Sequence, residues 1–511
     1  MKKQTIRLLI LVCVVTFGWT ISSLAKAPKM TPEQAQELFK TMPTTDTTTP
    51  YHPTQNPDAQ WFPDAGFGLF IHWGIFSCRE LNPSWVMYNH RFGPRYPANI
   101  SVEDYYALAK EFNPQKYDPD VWMKMAKSMG MRYVVLTTKH HDGYALWPSE
   151  FGDYNTKCGA DGRDLLKEYV EAARRNGLKV GFYFSPRDWG YNHHKSGFNV
   201  PCRGFEGDNK PKLPWPKEQN KKEYLKWMDY TVGQLSELLT QYGEIDVLWF
   251  DGANWMGNVP NNEYGNKIRN WVYTLQPQIL INPRWGSVVN PDYTQNLSPS
   301  TKKIARSAGD FYTFESNWKD IVDPKHNAGV KEPIWFEFCD IWKSWGWGYQ
   351  KETSSNPDPK RMRRTLERLA TLRAFGGNYL LNIGPNLNGE VRSDILAEAK
   401  ELATWIQPRK EAYWDIQSVK EWPSLCKYPI TRKGNTLYVH LVSEKGTTPD
   451  RVQLAIKQQP QKVSLLAEKE AKVEVVNEKS GLLIKLPSEG LNPLGEIIKL
   501  EFQKPPLPKN K

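Results

Sequence analysis

The chain contains few cysteines for its 511 residues. Six are present, and five of them follow the first 27 residues: Cys78, Cys158, Cys202, Cys339 and Cys426. An odd and widely spaced set does not form the disulfide framework of a small secreted domain. The chain also lacks Cys-x-x-Cys and His-Glu-x-x-His, the spacings that most directly indicate a metal site. We therefore expect no disulfide-stapled fold, no bound metal and no cofactor.

Long apolar runs are scarce as well, and the one that approaches membrane length lies at the N-terminus. Lys2, Lys3 and Arg7 precede an apolar run over residues 8 to about 24, and small residues follow it. This pattern predicts a secretory signal peptide over residues 1–27, with a retained membrane anchor as the alternative because the run is long. We expect a secreted or periplasmic protein with no membrane span after signal cleavage.

The net charge of +11 comes from lysines and arginines spread along the whole chain. Such a distribution is typical of a solvated surface, and no motif that reads nucleic acid accompanies it, so we expect no nucleic-acid partner. The excess of positive charge would suit a sulfated or uronic-acid-bearing glycan. The 21 tryptophans are compatible with a sugar cleft, because aromatic faces pack against the apolar faces of pyranose rings.

Eight short apolar segments end in polar or aromatic residues. They span residues 66–74, 131–141, 179–185, 243–252, 278–286, 310–315, 333–340 and 378–384. Amphipathic helical patterns lie between several of them, and two of these patterns, 117–130 and 164–177, start near an Asp and stop at a Gly. This alternation predicts an α/β fold of the (β/α)₈ type, with its active site at the C-terminal ends of the strands. A doubly wound sheet is the alternative, but no Gly-x-Gly-x-x-Gly follows the first strand.

The character of the sequence changes after residue 408. Strand-length segments with alternating apolar and polar residues follow, separated by turn residues, and predict an antiparallel β-sandwich over residues 409–503. The catalytic barrel is then expected over residues 61–408. Residues 28–60, rich in Pro and Thr, are interpreted as a lead-in segment, and the Pro-containing residues 504–511 as a flexible tail.

The fourth apolar segment places a single carboxylate at the end of a predicted buried strand. Asp251 follows Trp249 and Phe250, and Gly252 permits a sharp turn after it. Asp251 could cap the next helix, or it could take part in a reaction. The other segments also end in chemically useful side chains, which favours the second interpretation.

Four motifs resemble those of glycoside hydrolase family 29, the α-L-fucosidases. They are Phe-Gly-Leu-Phe-Ile-His-Trp-Gly (67–74), Lys-His-His-Asp-Gly-Tyr-Ala-Leu-Trp (139–147), Trp-Phe-Asp-Gly (249–252) and Gly-Gly-Asn-Tyr-Leu-Leu-Asn-Ile-Gly-Pro (376–385). The resemblance covers roughly residues 61–385. It implies a retaining exo-glycosidase that removes terminal α-L-fucose from fucosylated oligosaccharides or polysaccharides through a covalent glycosyl-enzyme intermediate. It also implies a β-sandwich after the barrel.

The resemblance implies roles for particular residues. Asp251 matches the nucleophile, and Glu315 matches the general acid/base, although Phe314 replaces the Pro that usually precedes that Glu. Glu337, in Trp-Phe-Glu-Phe-Cys, is the alternative acid/base. The residues expected to bind the sugar are His72, Trp85, His140, His141, Tyr183, Trp249, Arg284 and Glu337.

Two of these expectations also have a physical rationale. Arg284 near Asp251 would keep that acid ionised, although a buried ion pair that merely ties two strands is the alternative. His140 and His141 are adjacent, and successive residues of a regular strand point to opposite faces, so one metal could hardly bind both. Hydrogen bonding to sugar hydroxyls is the better use of this pair.

One position departs from the family pattern. Members of the family often have a Glu directly before the Trp where this chain has Ser84 and Trp85. Since a carboxylate for ring hydroxyls is missing there, an α-L-galactosidase of the same mechanism is an alternative function. A catalytically silent glycan-binding protein and an inverting hydrolase are two further alternatives.

Overall fold

The structure is a computed structural model that describes most of the chain. It describes residues 30–43, 54–84, 100–188, 191, 218–252, 263–285, 309–315, 318, 335–342, 346–351, 356–446, 448–468 and 471–507. The predicted signal peptide, Trp85, and parts of the predicted lead-in and tail lie outside these ranges. Across the described ranges, no helix has the length and apolarity needed to cross a membrane.

A parallel sheet of eight strands forms the first part of the fold. Its strands are β1 (Phe67–Ile71), β2 (Tyr133–Lys139), β3 (Lys179–Phe184), β4 (Val247–Phe250), β5 (Leu280–Ile281), β6 (Tyr312–Glu315), β7 (Phe336–Ile341) and β8 (Asn378–Ile383). Their order is β5-β4-β3-β2-β1-β8-β7-β6. Asp310, just before β6, joins the two edge strands, because its N–H donates to the Ile281 carbonyl and its carboxylate accepts from the Ile281 N–H, both at 2.8 Å. All eight predicted segments contain a strand, and the predicted barrel is confirmed.

Both faces of the barrel strands are covered. In β4, Val247 and Trp249 belong to a cluster inside the barrel, whereas Leu248 and Phe250 belong to the cluster between the sheet and the helices. Successive residues of a strand alternate between faces, so each strand needs apolar residues on both. This double burial explains the nearly continuous apolar runs of the sequence.

Helices surround the sheet and connect its strands. The α-helices span Pro32–Thr41, Phe62–Ala65, Val102–Glu111, Pro119–Ser128, Leu165–Arg175, Glu218–Thr240, Glu263–Leu275, Pro359–Phe375, Ser393–Ile406 and Trp422–Leu425, and 3₁₀ turns span Pro57–Ala59, Ile75–Arg79, Ala160–Gly162, Pro283–Trp285 and Gln407–Ala412. The two helices predicted from Asp and Gly punctuation are confirmed. Asp118 and Asp164 cap their N-termini, and Gly130 and Gly177 follow their ends with positive φ.

The C-terminal part consists of two antiparallel sheets. The strands are β9 (Gln417–Ser418), β10 (Ile430–Lys433), β11 (Thr436–Leu441), β12 (Arg451–Leu454), β13 (Lys462–Leu465), β14 (Glu474–Glu478), β15 (Gly481–Lys485) and β16 (Glu496–Glu501). One sheet has the order β13-β16-β11-β10-β9 and the other β12-β15-β14, and a shared apolar core confirms the predicted sandwich. The alternating segments of the sequence begin at residue 435 and therefore do not predict β9 or β10, since β9 has two residues and β10 has one aliphatic residue. The predicted boundary at residue 408 stays a prediction.

Candidate active site

A cavity lies at the C-terminal ends of the barrel strands. Because inward and outward residues alternate, the residues two positions after Phe70 and Trp249 also face the barrel axis, at its mouth. These residues are His72 and Asp251. The other residues that line the cavity are Phe70, His140, His141, Tyr183, Arg187, Trp249, Gly252, Arg284, Glu315, Cys339 and Trp347. Active sites of (β/α)₈ barrels occupy this face.

Asp251 is held in the cavity as an ionised carboxylate. Its Oδ2 accepts a hydrogen bond from the Tyr183 hydroxyl at 3.0 Å, and its Oδ1 accepts one from Nη1 of Arg284 at 3.2 Å. Burial on its own would raise the pKa of Asp251, but the positive charge of Arg284 opposes it, and the pKa is lowered to about 2. The side chain is therefore charged and fixed in orientation at neutral pH. Residues 253–262, which would show whether Asp251 also caps a helix, lie outside the described ranges.

The guanidinium of Arg284 connects Asp251 to a second carboxylate. Its Nη2 donates to Oε2 of Glu315 at 2.8 Å, and its Nε donates to the Thr313 hydroxyl at 3.0 Å. The guanidinium also lies over the Trp249 ring, with its carbon 4.6 Å from the ring centroid. Arg284 thus contacts both acids of the cavity at once, which places Asp251 and Glu315 on two sides of one cation.

Three histidines form another part of the cavity wall. In each of them Nδ1 makes a short hydrogen bond to a neighbouring side chain: His72 to Asn382 at 2.7 Å, and His140 to Ser84 and His141 to Ser185, both at 2.6 Å. Burial lowers the pKa of His72 to about 4 and that of His141 to about 3, and it lowers the pKa of His140 as well. All three rings are therefore uncharged at neutral pH.

The adjacent histidines do not alternate as residues of a regular strand would. Strand β2 ends at Lys139, and its register against β3 shifts between Thr137 and Lys139. Both His140 and His141 consequently line the cavity, with ring centroids 4.2 Å apart. Among the described residues, no group of three or more His, Cys, Asp or Glu side chains is arranged to hold a metal.

The family of the chain follows from comparison with known proteins. A model of the alpha-L-fucosidase family matches residues 34–411. The chain belongs to the alpha-L-fucosidase family. It is a glycoside hydrolase, as the four motifs predicted, and the tissue alpha-L-fucosidase of Mus musculus is 28% identical over 382 residues, covering 71% of this chain and 74% of that protein.

Solved structures of alpha-L-fucosidases share the fold. Isoenzyme 1 from Paenibacillus thiaminolyticus is 31% identical, with a TM-score of 0.67 over 88% of this chain and 99% of that one. A family 29 alpha-L-fucosidase from Bacteroides thetaiotaomicron is 25% identical, with a TM-score of 0.68 over 89% of this chain and 98% of that one. The latter structure is described as a trapped covalent intermediate in complex with 2-fluoro-fucosyl fluoride.

Glu337 lies at a different depth in the barrel from Asp251 and Glu315. The register between β6 and β7 pairs Glu337 with Thr313, and Cys339 with Glu315, so Glu337 lies one inward layer below the cavity. It is fully buried, and its carboxylate accepts hydrogen bonds from the Tyr133 hydroxyl and from Nε1 of Trp249. Burial raises the pKa of Glu337 to about 7, although these two donors oppose the shift.

Besides Gly252, four residues that line the cavity were not among the predicted site residues. Phe70 lies two positions before His72, and Cys339 lies two positions after Glu337, so the alternation of β1 and β7 would have found them. Arg187 and Trp347 lie on loops, where no periodicity applies. Trp85, which was predicted to bind the sugar, lies outside the described residues.

We expect the stability of the Glu337→Gln variant to depend on pH differently from that of the wild type. The folded-state pKa of Glu337 lies above its ordinary value of 4.5, so the folded state binds this proton more tightly than the unfolded state does. The stabilisation is complete below pH 4.5 and is lost as the pH rises through about 7. Glutamine cannot ionise and should avoid this loss.

Urea denaturation of both proteins at pH 5 and pH 8 measures the effect. The free energy of unfolding of the variant should increase, relative to the wild type, by up to about 3 kcal/mol between the two pH values. Leu380→Val is a matched control, because it alters the same inner core without a titratable group. If the free energies of unfolding of Glu337→Gln and the wild type differ by the same amount at both pH values, the expectation is wrong.

Proposed function

We propose that this enzyme is a retaining exo-α-L-fucosidase that hydrolyses terminal α-L-fucosyl residues by double displacement. The observation that carries the proposal is the position of Asp251 and Glu315 in one cavity, with both carboxylates bound to the Arg284 guanidinium. A retaining glycosidase needs a nucleophile and an acid/base about 5 to 5.5 Å apart, whereas an inverting one needs about 6.5 to 9.5 Å to admit a water molecule. Two acids that share one cation are compatible with the shorter spacing.

Asp251 has the properties of a nucleophile. It must attack the anomeric carbon as an anion, and Arg284 keeps it ionised while Tyr183 orients its Oδ2. Attack forms the bond between this carboxylate and the sugar while the bond to the leaving oxygen breaks. Water then releases the sugar in the second displacement.

Glu315 is the carboxyl that we assign as acid/base. It lines the cavity and its side chain is 31% exposed, so a leaving group and later a water molecule can reach it. Glu337, by contrast, has both oxygens occupied by Tyr133 and Trp249 below the cavity. The acid donates its proton to the departing oxygen and takes one from the attacking water in the second step.

The remaining cavity residues suit recognition of a neutral sugar. Three uncharged histidines can exchange hydrogen bonds with hydroxyl groups, and the rings of Phe70, Trp249 and Trp347 supply apolar surface. The names of the related fucosidases and the trapped covalent intermediate of the Bacteroides protein support the fucosyl substrate and the covalent mechanism. We propose a fucosylated glycan outside the cytoplasm as the substrate, reached after export by the N-terminal signal.

We expect Asp251→Gly to lower turnover of an aryl α-L-fucoside by about a thousandfold or more, because no anion remains to attack the anomeric carbon. Added azide should restore turnover of an activated substrate and yield the β-configured glycosyl azide, since a small anion fits the vacated position. Product configuration is read by NMR. Undiminished activity without azide would remove Asp251 from the role of nucleophile.

We expect the loss of activity in Glu315→Ala to depend on how good the leaving group of the substrate is. Loss of general-acid catalysis should slow cleavage of a natural fucosyl disaccharide by about a hundred to ten thousandfold, while a highly activated aryl fucoside should still be cleaved. Glu337→Ala is the matched comparison and should lack this dependence on the leaving group. If the dependence is found only in Glu337→Ala, the two roles are reversed.

The sugar preference can be measured with matched aryl α-L-fucoside and aryl α-L-galactoside. L-Galactose adds one hydroxyl to the C5 methyl group of L-fucose, and an apolar pocket rejects an added hydroxyl by only about a hundredfold. We therefore expect kcat/KM to favour the fucoside by about that factor, with measurable turnover of the galactoside. A ratio that favours the galactoside would support the α-L-galactosidase alternative, which the Ser84 departure keeps open.

A further inference from the structure

Ser84 lies directly behind the cavity wall and contacts His140. It is fully buried and adopts a left-handed backbone conformation with φ 57°. Its Oγ lies 2.6 Å from Nδ1 of His140 and 3.2 Å from Oδ2 of Asp142, and it accepts the backbone N–H of Asp142 at 3.0 Å. One hydroxyl therefore connects a cavity histidine to a buried carboxylate that does not line the cavity.

Asp142 offers only acceptor oxygens to its neighbours while it is ionised. Its Oδ2 accepts the Tyr105 hydroxyl at 2.8 Å as well as that of Ser84, and its Oδ1 accepts the N–H of Tyr144 at 3.0 Å. Tyr105 in turn accepts the backbone N–H of Ser84 at 3.1 Å, so its own proton is free to point at Asp142. Burial raises the pKa of Asp142 to about 6, and the carboxylate is ionised in neutral or weakly alkaline solution.

The protons around Ser84 can be assigned from this arrangement. A serine hydroxyl has one proton and two lone pairs. The proton goes to the Asp142 carboxylate, and the Asp142 N–H occupies one lone pair. The other lone pair can accept only if Nδ1 of His140 carries a proton. Nε2 of the neutral ring then keeps its lone pair.

We propose that Ser84 and Asp142 are positioning residues that hold His140 in the Nδ1-protonated tautomer, so that Nε2 accepts a hydrogen bond from a hydroxyl group of the bound sugar. The tautomer follows from the protein alone. The contact with the sugar rests on the proposed function.

His72 provides an internal reference for this proposal. Its Nδ1 faces Oδ1 of Asn382, and the amide group of Asn382 donates to the Trp347 carbonyl at 2.7 Å. The amide oxygen is an acceptor, so His72 also carries its proton on Nδ1. Within the part of the chain that the structure describes, no hydrogen bond joins Asn382 to Asp142. A change at Asp142 should therefore leave the His72 tautomer unaltered.

The ¹⁵N NMR spectrum of the histidine rings in the full-length enzyme at pH 7.5 tests the tautomer. The signals that disappear in His140→Gln are those of His140. The wild type should show a protonated Nδ1 and an unprotonated Nε2 for His140. In Asp142→Asn, the amide oxygen keeps the Tyr144 N–H and the amide nitrogen donates to Ser84. The Ser84 proton must then turn to His140, and the protonated ring nitrogen should change to Nε2.

Two spectroscopic outcomes would overturn the proposal. One is a wild-type His140 that is protonated on Nε2, a result that does not depend on whether any variant folds. The other is an unchanged His140 tautomer in Asp142→Asn while the His72 signals confirm an intact cavity. Neither outcome depends on turnover of a fucoside, so they are distinct from a failure of the proposed function.

Kinetics with an aryl α-L-fucoside test the contact with the sugar. Asp142→Asn and Ser84→Ala should each raise KM about tenfold with little change in kcat, because the lost hydrogen bond serves ground state and transition state alike. The effect should vanish for the one monodeoxy fucoside that lacks the hydroxyl bound to His140. An equal effect on the parent and on every monodeoxy analogue would mean that the two residues do not act through His140.

Discussion

The arrangement of the acids in the cavity depends on the contacts of the Arg284 guanidinium. This group is buried, and it binds Asp251, Glu315 and Thr313 while stacking on Trp249. Burial alone would lower the pKa of Arg284, but the two neighbouring carboxylates raise it, so the guanidinium keeps its charge in the cavity. A lysine could not replace it, because a single ammonium group lacks the planar fork that reaches two acids and a hydroxyl at once.

The same barrel holds two inward-facing acids with opposite behaviour. Asp251 has the Arg284 cation at hydrogen-bonding distance and a lowered pKa, whereas Glu337 has only neutral donors and a raised one. The difference arises from position along the barrel axis, since the pairing of β6 with β7 sets Glu337 level with Thr313 and below the guanidinium. Environment therefore separates a group that stays charged from one that favours its proton.

Much of this could be predicted from local sequence. Apolar runs, Asp and Gly punctuation and strand-end side chains are local signals, and they located the eight strands and the cluster around Asp251. The choice between Glu315 and Glu337 depends instead on the register between two strands, which no local pattern encodes. His140 and His141 were both expected in the cavity from the motif resemblance, whereas strand periodicity alone would have separated them. A register shift in β2 removes the alternation that a regular strand would impose.

The distribution of charge in the cavity matches the chemistry of a glycoside. Sugar hydroxyls are neutral, and the three histidines that line the cavity are neutral as well, because burial disfavours their charged form. The positive charge of Arg284 lies beside Asp251 and keeps that carboxylate ionised, which is what a nucleophile facing an oxocarbenium-like transition state would need. In the proposed cycle Asp251 remains without a proton, so Glu315 is the cavity group whose protonation must change.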